Sequence, residues 1–285
     1  MSDLIGGRVR DAVPMIAYLF WRYDRPGGGD DTRAEDLADL CEELHETLGV
    51  NSMKLKAGVM PPDEEARVVE LCRERLGPSF GLRIDPNGTW SVATATRIGR
   101  RLEATNMEYF EDPAWGLEGN AAVRKAVRIP IATNMYPNKF DDLGPAIRLG
   151  AVDIVLTDLH YWEGPRGVKD LTAVCRTFNL GVAMHSGAEF GIELAAMLHT
   201  AATIPEMHFA GDAHYHFLTD DIIEGGLMKY VDGKIAVPTG PGLGVKLDEE
   251  KMRRYEKYFE EKGDYYARFH QDPRRLEWYP VVGGT

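Results

Sequence analysis

Lys54 and Lys56 flank Leu55 in the stretch Asn51-Ser52-Met53-Lys54-Leu55-Lys56-Ala57-Gly58, which reads as a strand ending in a glycine turn. Side chains alternate faces along a strand, so the two lysines share one face while Met53 and Leu55 share the other. Two ammonium groups on an otherwise apolar strand are costly to bury without counter-charges. Taken alone, the tripeptide is an amphipathic surface strand. The rest of the chain changes that reading, because later strand-like runs end at regular intervals in Asp85, Glu111, Asn134, Asp158 and His185.

Asp85, Glu111 and Asn134 are three oxygen donors. Brought together with room for water and substrate, they suit Mg2+. Zinc is a poorer match, since no histidine or cysteine is among them. Each has a plainer account: Asp85-Pro86-Asn87-Gly88 is also a turn sequence, Glu111-Asp112-Pro113 can simply end a strand, and Asn134 can cap a loop. Asp158 and His185 form a second set. A carboxylate accepting a hydrogen bond from one imidazole nitrogen orients the ring and raises its basicity. A lone histidine at a strand end is otherwise a hydrogen-bonded core residue. Lys56, close to other cations and the metal, is expected to have a lowered pKa and to act as a base. Lys54 is expected to stay charged and to help hold an anion.

These residues need a scaffold that brings strand ends together. A first strand is read over Met15–Trp21, followed by a polar loop, Asp24 to Asp31. Helix periodicity marks Ala34–Leu48, closed by Gly49, and Pro62–Leu76, stopped by Gly77-Pro78. The unit then repeats. Strands at 81–85, 107–111, 129–134, 152–158 and 180–185 alternate with helices at 91–104, 117–127, 140–149, 168–178 and 192–202, and Glu206–Ala210 reads as an eighth strand. Such alternation predicts parallel strands joined by right-handed crossovers. Eight of them suggest closure into a TIM-type (β/α)7-8 barrel, which typically needs about 250 residues. A doubly wound open sheet is the rival, but no Gly-x-Gly-x-x-Gly follows a first strand. In a parallel barrel the strand C-termini share one rim, so Asp85, Glu111 and Asn134 become neighbours there, as do Asp158 and His185.

Past the barrel pattern, Gly226–Val237 reads as a hairpin around Asp232-Gly233 and Pro241–Val245 as a loop. A charged helix follows from about Asp248 to Lys262. The chain divides into a barrel domain, 1–245, and a C-terminal helix and tail, 246–285, whose aromatics Tyr265, Tyr266, Phe269, Trp278 and Tyr279 need a packing partner.

The formal charge of −12 over 285 residues argues against nucleic acid, whose phosphates need a basic surface. Cys41, Cys72 and Cys175 are widely spaced, which suggests reduced buried thiols and a cytoplasmic location. Val13–Trp21, after Arg8 and Arg10, faintly mimics a signal peptide. It lacks a small-residue cleavage site and is too short to span a bilayer, so no membrane role is expected.

Together, Lys54-x-Lys56, Asp85-Pro86-Asn87, Glu111-Asp112-Pro113, Asn134, Asp158 and His185 resemble the enolase superfamily, mandelate-racemase subgroup, and within it the glucarate dehydratase family. Lys54–Pro62, Ala132-Thr133-Asn134-Met135, Asp158-Leu159-His160-Tyr161-Trp162 and Pro241–Val245 extend the similarity, which runs from about Gly6 to Val245. The resemblance implies Mg2+ on Asp85, Glu111 and Asn134, binding a substrate carboxylate. It implies proton removal by Lys56 or His185, and an enediolate stabilised by the metal and Lys54. The acid form of the Asp158–His185 pair then helps expel the next hydroxyl, giving a 2-keto-3-deoxy acid. Asn87, Ser186 and His214 are candidates for substrate contact, each equally readable as a loop or packing residue.

Two departures stand out. Family members carry an N-terminal α+β capping domain; this sequence begins almost at the first barrel strand, so that domain is expected to be absent, unless the sequence is a piece of a longer protein. A separate polypeptide supplies it, or the tail or a neighbouring subunit covers the mouth, or the site stays open. The segment Ser186-Gly187-Ala188-Glu189-Phe190 lacks the amide-rich sequence expected beside the histidine, and Glu189 would repel a second carboxylate or bind hydroxyls. The expected activity is a Mg2+-dependent dehydratase acting on an acid sugar or related hydroxy-carboxylate, in a homo-oligomer. A racemase or epimerase at the same site and a non-catalytic metal-binding barrel subunit are the alternatives.

Overall fold

The structure is a computed structural model and describes residues 1–21, 32–187 and 189–263. The loop expected at Asp24–Asp31 and the aromatic tail lie outside the described residues. The run read as one strand over Met15–Trp21 divides in two. β1 (Ala12–Pro14) joins a small antiparallel sheet, and β2 (Ala17–Phe20) begins the parallel one. Pro14 lacks an N–H and sits at the end of β1, where the chain changes sheets.

Six further parallel strands follow: β3 (Ser52–Lys56), β4 (Gly81–Asp85), β5 (Tyr109–Glu111), β6 (Ile131–Thr133), β7 (Ile154–Thr157) and β8 (Gly181–Met184). They stand in the order β2-β3-β4-β5-β6-β7-β8, so every crossover joins spatial neighbours. The crossovers are α1 (Ala34–Leu48), α2 (Pro62–Leu76), α3 (Val92–Leu102), α4 (Gly116–Ala126), α5 (Phe140–Leu149) and α6 (Gly164–Thr177), and α7 (Gly191–Ala201) follows β8. Leu37 and Cys41 of α1, and Ala66, Val69 and Cys72 of α2, pack in one core with Met53 and Leu55. That leaves the opposite face of β3, with both lysines, for the barrel interior.

The eighth strand expected at Glu206–Ala210 is reduced to two isolated parallel bridges, Met207 with Val182 and Gly211 with Met15. Backbone bonds from Gly211 N to Pro14 O (2.8 Å) and from Asp212 N to Met184 O (2.9 Å) carry this segment across the gap between β8 and β2. The ring is therefore closed by a short irregular stretch.

The expected hairpin forms as β9 (Tyr230–Val231) and β10 (Lys234–Ala236), and β10 pairs antiparallel with β1. Asp232 and Gly233 take φ of 49° and 71°, as a two-residue hairpin turn demands. A Cβ on Gly233 would come within 2.4 Å of the Gly49 carbonyl oxygen, so this turn docks directly on the end of α1. α8 (Glu249–Lys262) is capped by Asp248 and tied back by Lys251, Arg254 and Tyr255, which all bond Asp220. Among the described residues no helix is long and apolar enough to cross a membrane.

Candidate active site

Strand register stacks the interior in layers. Tyr18, Lys54, Arg83 and Tyr109 align across β2 to β5, and Phe20, Lys56 and Asp85 align one step nearer the strand C-termini. In the lower layer Lys54 is fully buried and donates to Glu111 Oε2 (2.7 Å) and to Asp212. Its ammonium also lies 4.8 Å from the Tyr18 ring centroid. Asp212 is in turn bonded by Arg83 Nη1 (3.2 Å), whose Nε reaches Glu108 (2.7 Å). Burial disfavours the Lys54 charge, but Asp212 and Glu111 outweigh it and hold the pKa well above its ordinary value. Lys54 is charged, as expected.

Lys56 departs from expectation. Its Nζ donates to Asp85 Oδ2 (2.6 Å) and Asn87 Oδ1 (3.0 Å). Burial works to lower its pKa, yet the Asp85 carboxylate prevails over both burial and Lys54, and the pKa is raised. The expected lowering relies on other cations and a bound metal; with Asp85 paired to Lys56 alone, the adjacent acid dominates.

Beside Lys56 and above Lys54, Asp85, Glu111 and Asp112 bring carboxylate oxygens within 4.8 Å of one another. Burial, reinforced by Asp85, drives the Glu111 pKa well up, the mark of acids gathered with too little positive charge. Asp112 supports rather than faces this cluster. Its oxygens accept from Thr133 Oγ1 (2.5 Å), Asn134 N (3.0 Å) and Asn120 Nδ2 (3.4 Å), and burial pushes its pKa up to about 6.

Asn134 joins the acids to the histidine. One end of its amide lies 3.2 Å from Glu111 Oε1 and 3.0 Å from Asp112 Oδ2, the other 3.3 Å from His185 Nε2. With nitrogen toward the carboxylates, Nε2 must hold a proton. With oxygen toward them, a cation must sit among the oxygens, and the amide nitrogen donates to a lone pair on Nε2. His185 Nδ1 lies 2.8 Å from Asp158 Oδ2, and a carboxylate only accepts, so Nδ1 carries a proton. The second orientation groups oxygens of Asp85, Glu111 and Asn134 as a hard divalent cation would need them.

Asp158 directly follows β7, beside β8, as the dyad requires. Burial would raise its pKa, but bonds from His185 and His160 lower it. The remaining sequence candidates separate. Asn87 reaches the site through Lys56. Ser186 donates to Glu189, whose pKa burial pushes up to about 7. His214 stands edge-on to Tyr18 (4.4 Å between centroids), and burial together with Lys54 pushes its pKa down to about 3, so its ring is neutral. Sequence reasoning missed Asp212, Arg83 and Glu65. The buried Glu65 carboxylate accepts from the backbone N–H of Gly58 (2.8 Å), Val59 (3.0 Å) and Met60 (2.9 Å), fixing the loop after Lys56. Its signal was an acid in the first turn of a helix directly after that loop.

The ring of parallel strands with acids, lysines and a histidine at one mouth defines a class. Residues 36–251 match the model of the enolase C-terminal domain-like family, and the chain belongs to that family. It is 44% identical over 258 residues to a probable glucarate dehydratase from Streptomyces coelicolor, covering 87% of this chain and 59% of that protein's length. It is 30% identical over 260 residues to a chloromuconate cycloisomerase from Pseudomonas putida, covering 90% of this chain and 67% of the relative. A crystal structure of an enolase from Gibberella zeae, complexed with magnesium, formate and sulfate, superposes with a TM-score of 0.87 at 39% identity, covering 92% of this chain and 63% of that one.

Proposed function

We propose that this chain is the barrel of a Mg2+-dependent dehydratase acting on an acid sugar or related hydroxy-carboxylate. The observation that carries the reading is the Asp158–His185 pair, bonded at 2.8 Å, with Nε2 turned toward Asn134 and the Asp85–Glu111 acids. The 44% identical relative is a probable dehydratase and the Gibberella zeae structure holds magnesium, which support the same reading.

Asp85, Glu111 and Asn134 would hold the cation, which supplies Lewis-acid stabilisation to a bound carboxylate and lowers the acidity barrier at the adjacent carbon. The chain's own residues do the rest. Lys54, kept charged by Glu111 and Asp212, adds fixed positive potential beneath the site. Lys56 becomes a base only when Asp85 is engaged elsewhere, because that carboxylate is what holds its proton. His185, its Nδ1 held by Asp158, acts through Nε2 beside Asn134 and, once protonated there, can return that proton to a departing hydroxyl. Asp158 holds the ring in this tautomer throughout.

The test is incubation of the protein with Mg2+ and a panel of acid sugars, followed by a 2-keto-acid assay. Keto-acid from at least one substrate, abolished in His185→Asn, is the expected result. Metal binding without keto-acid or deuterium exchange into any substrate would overturn it. Exchange without elimination would transfer the reading to an epimerase, in which Lys56 and His185 serve opposite faces of one carbon.

A further inference from the structure

The Asp158 carboxylate serves two histidines. Its Oδ2 accepts from His185 Nδ1, while its Oδ1 accepts twice from His160, from the backbone N–H (2.6 Å) and from Nδ1 (2.8 Å). The other side of the His160 ring faces Glu193, with Nε2 3.4 Å from Oε1. Glu193 lies in the first turn of α7, the helix that follows His185, where the helix N-terminus favours an acid. His160 therefore ties the loop after β7 to the helix after β8, and its ring is half-exposed at the rim.

We propose that His160 is a positioning residue for the dyad: by occupying Asp158 Oδ1 while braced by Glu193, it stops the carboxylate turning and reserves Oδ2 for His185. Without the His160 ring, Oδ1 keeps only the backbone N–H, and the carboxylate is freer to turn about its terminal torsion, a broad and shallow one. It then shares its oxygens with water, and His185 loses the bond that selects its tautomer. Two bonds at Oδ1 remove that freedom, and outer partners of this kind usually matter to function by one to two orders of magnitude. The Asp158 bond raises the His160 pKa, with Glu193 adding to it, which favours an imidazolium bonded to Asp158 and ion-paired with Glu193. This inference deepens the dehydratase reading and rests on it for its catalytic consequence alone.

The test uses the full chain with 15N-labelled histidine. Long-range 1H–15N correlation reads the His185 tautomer, assigned by the signals lost in His185→Asn. The parent is expected to show the Nδ1–H form. His160→Ala should show a mixture of tautomers with its melting temperature nearly unchanged, since the ring is exposed. His160→Asn, whose amide can donate from the place of Nδ1, should restore the single form. In turnover, His160→Ala should lose at least about tenfold in kcat, largely recovered by His160→Asn. A single Nδ1–H tautomer in His160→Ala, or no recovery with asparagine, overturns the proposal. The tautomer measurement needs no substrate. If the parent turns over no acid sugar, the dehydratase reading fails while the positioning role is still decided.

Discussion

Replacing Lys54 by methionine removes the cation bonded to Glu111 while leaving the acid sealed from water. Lys54 and both of its acid partners have side chains that are 0% exposed. Breaking a buried ion pair by deleting one partner costs about 3–5 kcal/mol, because the remaining charge has neither water nor a counter-ion. Asp212 keeps Arg83 and is partly protected, so the cost falls mainly on Glu111. About 4 kcal/mol corresponds to a fall of roughly 7 °C in melting temperature for a chain of this size. The assay is thermal and urea unfolding in chelator, so that no bound cation substitutes for the ammonium. Removing the second charge should repair much of the damage: Lys54→Met with Glu111→Gln should melt above Lys54→Met alone, since neutral replacements of buried pairs are often well tolerated. A single variant that melts within a degree or two of the parent would refute the reasoning. So would a double variant that melts below the single one.

Magnesium at about a hundred times its dissociation constant should stabilise the parent by about 2.7 kcal/mol, and this rise in melting temperature should vanish in Asp85→Asn and Glu111→Gln. An equal rise in all three proteins would place the cation elsewhere. Gly58→Ala should destabilise by about 2–3 kcal/mol in urea titrations. Gly58 has φ of +85°, and a Cβ there would lie 2.4 Å from Thr89 Oγ1 and 2.7 Å from the Pro86 carbonyl oxygen; an unchanged midpoint would contradict this. Burial pushes the Glu65 pKa from 4.5 up to about 7, against three backbone N–H donors. A raised acid contributes stability below its unfolded pKa and loses it as pH rises through 7. Urea unfolding should therefore show the parent losing about 3 kcal/mol relative to Glu65→Gln between pH 4.5 and 8, and a difference that is flat with pH would exclude it.

The parts of the fold that repeat were readable, because a helix over Ala34–Leu48 or Pro62–Leu76 has its own periodicity, cap and stop. β3 and β4 were equally plain, with the lysines and Asp85 at their ends. The joins were harder. Nothing local in Met15–Trp21 says that the chain changes sheets after Pro14, because β1 is defined by β10, more than two hundred residues further along. Glu206–Ala210 has the composition of a strand, but its neighbours offer only two bridges. The dyad was visible since Asp158 and His185 end consecutive strands. Asp212 was not, because its role depends on Lys54 and Arg83, which reach it from across the ring. Lys56 has the same dependence on distant residues: the acid directly opposite it in register, Asp85, sets its charge as long as that carboxylate is not shared with a cation.

A closed ring is as strong as its weakest join, and here that join is the stretch from Met207 to Asp212. Backbone pairing is sparse there, and much of the fastening comes from one aspartate gripped by a lysine and an arginine. Those same ammonium and guanidinium groups lie directly beneath the cluster of acids. The clasp of the ring and the floor of the mouth are thus one set of charges. Loosening the clasp would tilt that floor, so slow breathing of the seam and the state of the cluster above it should rise and fall together.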